Sequence, residues 1–243
     1  MNMLVRKAKA KLATPFMRSL LRRPGIFPVR RELSFRYITG SGLEIGGLNA
    51  PLEVRPGVVV KYADRHETEQ QRVDYSPDII TDLESMIGVE DTSQDFVIAN
   101  HVLEHVENPL RALTSISRVL KPKGVAFIAL PDKRHTFDLR RSITPLDHIQ
   151  RDFVEGPDWS LVEHYRDWIA NVDRLEGSAA DAKLAALIQS RVDVHFHVWD
   201  YQAMEEMFAF ACSMPGFDLA VEHSQPNRGE VIWILRKTTP ALL

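Results

Sequence analysis

The chain has 243 residues, 44% apolar and 26% charged, with a net charge of −3. This suits an ordinary globular chain with one large α/β domain, or one domain with an appended tail and an inserted cap. No run approaches the ~18 apolar residues of a membrane-spanning helix. The basic start lacks the apolar core and cleavage site of a secretory signal. The single cysteine, Cys212, excludes an internal disulfide and a cysteine-based zinc cluster, and points to a reducing, cytoplasmic setting.

The charge is unevenly spread. Residues 1–31 carry nine Lys/Arg and no Asp/Glu, which leaves 21 basic against 33 acidic residues in the rest. The acidic body argues against general nucleic-acid binding. The basic segment suits a solvated extension, or an arm that touches anionic lipid and makes the protein membrane-peripheral. Thr14-Pro15 starts a helix, Phe16, Met17, Leu20 and Leu21 form its apolar stripe, and Pro24-Gly25 stops it. Residues 26–37 read as an irregular lead-in. The expected organisation is a basic extension over 1–37 and the main domain over 38–243.

From Leu43 onward, short apolar strands alternate with turns and helices. Leu43-Glu44-Ile45 ends at Gly46-Gly47, Val58–Tyr62 ends at Asp64, and Asp78-Ile79-Ile80 ends at Asp82. Phe96–Ala99 ends at Asn100, and Val125–Leu130 ends at Pro131-Asp132. Such runs suit strands buried on both faces of a parallel sheet. Asn108-Pro109 opens a helix with apolar residues at 110, 113, 116, 119 and 120, and Lys121–Gly124 closes it. The short stretch between the first two strands leaves room for a helix of one or two turns. Residues 133–199 break the alternation and read as a helical cap, with a helix around Ala179–Arg191. A helix around Tyr201–Cys212 follows, then strands at Phe217–Val221 and Val231–Leu235 joined by a Pro226–Gly229 turn.

A ligand of an open α/β sheet sits outside the carboxyl ends of the strands. Those ends carry Glu44, Gly46, Gly47, Asp64, Asp82, Asn100, His101 and Asp132. Gly46 permits close backbone approach. Asp64, at the end of the second strand, stands where an acidic residue accepts the ribose hydroxyls of an adenosine cofactor.

The run Gln94–Val106, then Asn108-Pro109, then Arg118–Gly124 resembles the class I methyltransferases of the small-molecule group. Pro131–Asp138, Thr144–His148 and His195–Trp199 are similar to a bacterial subgroup that accompanies glycosyltransferases in surface-polysaccharide pathways. The resemblance covers roughly residues 40–235. It implies a Rossmann-like sheet, mostly parallel with an antiparallel last strand, and S-adenosylmethionine as cofactor. Glu44, Gly46, Gly47, Asp64, Asp82, Leu83, Asn100 and His101 are then its binding residues. The glycine loop departs from the family pattern: Leu48 and Ala50 replace its second and third glycines.

Other readings stand beside these. Glu44 and Asp64 could cap the sheet edge, and Asp82-Leu83 could be a helix cap and a core leucine. On a helix, His101, Glu104 and His105 would share one face in an inverted zinc-protease pattern, but the surrounding strand favours the methyltransferase reading. In an extended segment His195 and His197 point to the same side. They could be structural, could act as base, or could hold a divalent ion with Asp193 or Asp132; no metal is assigned. The expected base is His148 or the His195/His197 pair, with Asp132 orienting a histidine or the substrate. The fourth strand lacks the Pro-Pro-aromatic motif used on exocyclic amines, and no Pro-Cys nucleophile is present. A hydroxyl, carboxylate or small amine acceptor remains, and the subgroup resemblance implies a sugar hydroxyl on a glycan or small molecule. The alternative is a non-catalytic binding or scaffold protein on the same fold.

Overall fold

The computed structural model describes residues 26–47, 50–65 and 77–238. Seven strands form one sheet: β1 (Ser41–Ile45), β2 (Val59–Asp64), β3 (Ile79–Ile80), β4 (Gln94–Asn100), β5 (Leu120–Pro131), β6 (Leu219–Asn227) and β7 (Glu230–Lys237). Their order is β3-β2-β1-β4-β5-β7-β6. The pairs β1·β2, β1·β4, β2·β3 and β4·β5 are parallel, and β7 runs antiparallel between β5 and β6. This is the Rossmann-like sheet, mostly parallel with an antiparallel last strand, that the resemblance to class I methyltransferases implied.

The sheet is buried on both faces, as continuous apolar strands require. One face packs Val97, Ala99, Ile128, Leu130, Trp233 and Leu235 against α2 (Pro109–Val119) and α6 (Tyr201–Ser213). Helix α2 forms as its residues dictate. Asn108 caps it by accepting from the Arg111 N–H, Pro109 occupies its first turn, and Leu110, Leu113, Ile116 and Val119 are buried. Each such side chain contributes about 1.5–3 kcal/mol on burial. The other face packs Phe96, Ile98, Phe127, Ile232 and Ile234 against Leu33, Tyr37 and Ile38.

That second face corrects the lead-in reading. Residues Ile26–Tyr37 form helix α1, and its Leu33 and Tyr37 join the sheet's core. The stripe is short and interrupted by Arg and Glu, so its periodicity is weak until the sheet supplies a partner. The β1–β2 crossover contains no α-helix among its described residues, and Leu52 packs on the sheet there instead. Strand β5 starts earlier than expected: Leu120 pairs with Gln94, and the register then shifts as Lys123 turns with φ 68°. The expected helix and apolar stripe over residues 14–21 lie outside the described residues.

The cap carries α3 (Leu146–Glu155), α4 (Leu161–Trp168), a π turn (Ile169–Asp173) and α5 (Gly177–Ser190). It has its own core of Tyr165, Trp168, Ile169, Leu187, Val194 and Phe196. Its two ends are sewn together beside the sheet: Lys133 N–H donates to Trp199 O at 2.9 Å and Thr144 N–H to Val198 O at 2.9 Å. No described helix is long and apolar enough to cross a membrane.

Candidate functional site

The crevice of such a sheet opens where the chain order reverses, here between β1 and β4. At the end of β1, Gly46 has φ +70°, and a Cβ on Gly47 would come within 2.4 Å of the Glu44 carboxyl carbon. Two glycines are therefore needed for this loop to fold back on Glu44. Glu44 is fully buried and accepts from the Leu52 N–H at 2.9 and 3.1 Å with its two oxygens. Burial pushes its pKa up to about 7, against the opposing pull of the Leu52 bond and Arg30. Glu44 thus braces the loop that follows β1.

Asp64 lies half-buried at the end of β2, and its carbonyl accepts from the Thr81 N–H at 3.0 Å. Asp82 accepts from Ser85 through both its N–H and its hydroxyl, each at 2.8 Å, and Leu83 is in the core. This is the geometry of a capped turn. At the end of β4, Asn100 is 7% exposed and neither polar atom of its side chain has a hydrogen-bond partner. A buried, unsatisfied amide beside the β1 glycines fits a polar ligand in the crevice. On that observation the edge suits an adenosine-type cofactor.

His101 follows Asn100 in the left-handed conformation, with φ 56°. Its Nε2 lies 2.7 Å from Glu230 Oε2 and its Nδ1 3.4 Å from Glu104 Oε1. Arg30, on α1, donates to both oxygens of Glu230 at 2.9 and 2.5 Å. All four residues are buried. Burial opposes charge on His101, yet the two carboxylates raise its pKa. Burial likewise opposes charge on Glu230, and His101 and Arg30 bring its pKa down to about 2. The result is a charge-balanced network that ties α1 to the ends of β4 and β7. No α-helix forms at 101–105. Leu103–His105 is a single 3₁₀ turn, so the inverted zinc-protease pattern does not form on one helical face.

The cap adds two histidine–carboxylate clusters. In the first, His195 Nδ1 lies 2.7 Å from Asp138 Oδ2, both residues being buried. Arg141 holds Asp138 at 2.9 Å and also donates to the His195 carbonyl at 2.7 Å. Burial raises the Asp138 pKa, but His195 and Arg141 outweigh it and keep the group ionised. Nε2 of His195 lies 3.9 Å from Glu104 Oε1, and the His105 ring meets His195 edge-on at 4.6 Å. Burial and then the neighbouring His195 push His105 down to about 4. In the second cluster, His148 Nε2 lies 3.1 Å from His164 Nε2 and 3.2 Å from Asp152 Oδ2. His197 Nε2 lies 3.9 Å from Asp152 Oδ2 and 3.2 Å from the Glu107 carbonyl. Burial, then neighbouring charge, lowers His164 to about 3 and His197 well below the ordinary imidazole value.

His195 and His197 therefore serve two clusters and not one pair. Asp132 is bound by the Arg134 side chain at 2.5–3.1 Å, and Asp193 by Arg65 at 2.6 Å, so neither carboxylate shown with these partners sits on either histidine. The carboxylates that do are Asp138 and Glu104 for His195 and Asp152 for His197; of these, Glu104 was considered only in the zinc-protease pattern, and the roles of Asp138, Asp152, His164, Glu230 and Arg30 were missed. One local signal existed: His148 and Asp152 are four apart on a helix and share a face. The other partners are brought together only by the fold.

The fold is a Rossmann-like sheet of the kind found in class I methyltransferases. A family model described as a methyltransferase domain matches residues 52–128. Among solved structures, the chain is similar to 1,6-didemethyltoxoflavin-N1-methyltransferase of Burkholderia thailandensis, a complex with 1,6-didemethyltoxoflavin and S-adenosylhomocysteine. That match has 14% identity, covers 96% of this chain and 88% of the other, and has a TM-score of 0.52. A S-adenosylmethionine-dependent methyltransferase of Methanosarcina mazei is a weaker match, at 12% identity, 84% and 95% coverage and a TM-score of 0.46. At such identities the likeness concerns the fold alone. No curated protein is significantly similar in sequence. The matched domain and the fold point to S-adenosylmethionine as the cofactor.

Proposed function

We propose that the chain is a S-adenosylmethionine-dependent methyltransferase that methylates a hydroxyl, specifically a sugar hydroxyl on a glycan or small molecule. The observation that carries the hydroxyl reading is the buried His195–Asp138 pair at 2.7 Å. The cofactor, when bound, supplies an activated methyl group. The residues that would hold it are Gly46 and Gly47 at the β1 turn, Asp64 on the ribose, and Asn100 through its unsatisfied amide. Asp82 and Leu83 would flank the adenine from the capped turn after β3.

Asp138 accepts from His195 Nδ1–H and so leaves Nε2 as the basic nitrogen. Nε2 would take the proton of the acceptor hydroxyl, while the cofactor would supply the methyl group from its sulfonium and leave as S-adenosylhomocysteine. The resulting imidazolium lies between the carboxylates of Asp138 and Glu104, which stabilise it. The cap excludes water and aligns the acceptor, the main requirement of an in-line displacement. The sugar assignment rests on the resemblance of the cap motifs to the polysaccharide-associated subgroup, where a cytoplasmic enzyme would act on glycans or nucleotide-sugars.

Calorimetry with S-adenosylmethionine and S-adenosylhomocysteine tests the first half: saturable binding is expected, and its absence in folded protein sinks the reading. Incubation with labelled cofactor and a panel of nucleotide-sugars, free glycans and small amines tests the second. Label on amines alone would overturn the hydroxyl assignment.

A further inference from the structure

We propose that His148, Asp152, His164 and His197 bind a divalent transition-metal ion of the zinc type, a site separate from the His195–Asp138 pair. Each residue offers one ligand atom, and the four atoms lie within 4.8 Å of one another. A tetrahedral ion with bonds of about 2.0–2.1 Å requires ligand–ligand edges of roughly 3.3 Å. The His148–His164 and His148–Asp152 separations, 3.1 and 3.2 Å, match that edge. The His197–Asp152 edge is longer, at 3.9 Å.

Asp152 supplies the second observation. It is fully buried, and its Oδ2 has no hydrogen-bond partner although His148 Nε2 is 3.2 Å away. A buried carboxylate oxygen left in this way costs free energy unless a cation meets it. Its other oxygen is occupied, since Ser160 Oγ–H donates to Oδ1 at 3.1 Å. That bond turns Oδ2 toward the three rings as a one-oxygen ligand, the support expected around a metal carboxylate. Between His148 and His164 two Nε2 atoms face each other, and a single proton or a shared ion can occupy the gap. Nε2 of His197 would exchange its 3.2 Å contact with the Glu107 carbonyl for the ion.

Three imidazoles and one carboxylate make a borderline donor set, suited to Zn²⁺ and its neighbours over Mg²⁺ or Ca²⁺. Four protein ligands close the coordination sphere, so the ion would be structural. The ligands come from α3, α4 and the segment after α5, which puts the ion where it pins these cap segments together. Trp199 stacks on His197 at 5.5 Å and Trp159 packs on His148 at 4.7 Å, walls that shield the site. His148, with 19% of its side chain exposed, marks the way in.

The test uses the full chain, stripped with chelator and titrated with Co²⁺. Stoichiometric binding with the intense visible absorption of tetrahedral cobalt is expected, together with displacement by Zn²⁺ and a Zn²⁺-dependent rise in melting temperature. His148→Ala and His164→Ala should each weaken Co²⁺ binding by more than the roughly 10- to 100-fold typical of removing a supporting outer partner. His223→Ala, on β6, should bind as the parent does. If His164→Ala fails to fold, His148→Ala carries the test, because His148 stands at the rim. No tetrahedral absorption in the folded parent, or parent-like affinity in folded His148→Ala, overturns the proposal and leaves a hydrogen-bonded histidine cluster.

Discussion

The strand-end edge and the cap reach polar order by different routes. At the edge, partners are neighbours in sequence: Glu44 bonds Leu52, and Asp82 bonds Ser85. In the cap and in the network around His101, decisive partners are remote. His195 and Asp138 are 57 residues apart, and Arg30 and Glu230 are 200 apart. The edge therefore forms with its own strands, whereas the cap's chemistry exists only once distant segments have docked. A change at the edge should act locally on cofactor binding, and a change in the remote pairs should act on turnover or on the whole fold.

The largest expected effect is on turnover. His195→Ala should lower methyl transfer by about 10²- to 10⁴-fold, the usual contribution of a general base. Cofactor affinity measured by calorimetry should not change. A variant with parent-like turnover would move the base elsewhere in the cap.

Arg30→Ala tests whether α1 is part of the fold. It strips a buried carboxylate of its guanidinium, so a loss of about 3–5 kcal/mol is expected in urea unfolding. A loss below about 1 kcal/mol would return Arg30 to the solvated charge of the basic segment.

Glu44 gives the edge a pH signature. Its folded pKa of about 7 exceeds the ordinary value of 4.5, so between these values the folded chain keeps a proton that the unfolded chain has lost. Stability should therefore fall by about 3 kcal/mol as pH rises through that window. Glu230 acts with the opposite sign and at lower pH. Held at about 2, it contributes stability that is present above 4.5 and is lost as pH falls toward 2. Glu44→Gln should flatten the slope between 4.5 and 7, and equal slopes in parent and variant would reject the assignment.

Asp64→Ala should weaken S-adenosylmethionine by about 1.5–3 kcal/mol, the range for hydrogen bonds to a charged group, or about 10- to 100-fold. It should leave melting temperature nearly unchanged, which would separate it from Arg30→Ala. Unchanged affinity in the folded variant would take Asp64 out of the ribose site.

Apolar periodicity alone located β1, β2, β4, β5 and α2, because each writes its own burial pattern into consecutive residues. The strand-end positions Gly46, Asp64, Asn100 and Asp132 were legible for the same reason: strands of a parallel sheet must end at one edge. Helix α1 was not legible, since its weak apolar stripe becomes a buried face only against Phe96, Phe127 and Ile232. Nor could spacing show that His195 would meet Asp138 while His197 met Asp152 and His164. The sequence by itself determined the main strands, their polar ends and the presence of a histidine-rich cap, all consequences of short-range pattern. Only the tertiary structure decided which carboxylate meets which histidine, because buried charges are settled by whichever partners the packing brings within hydrogen-bond reach.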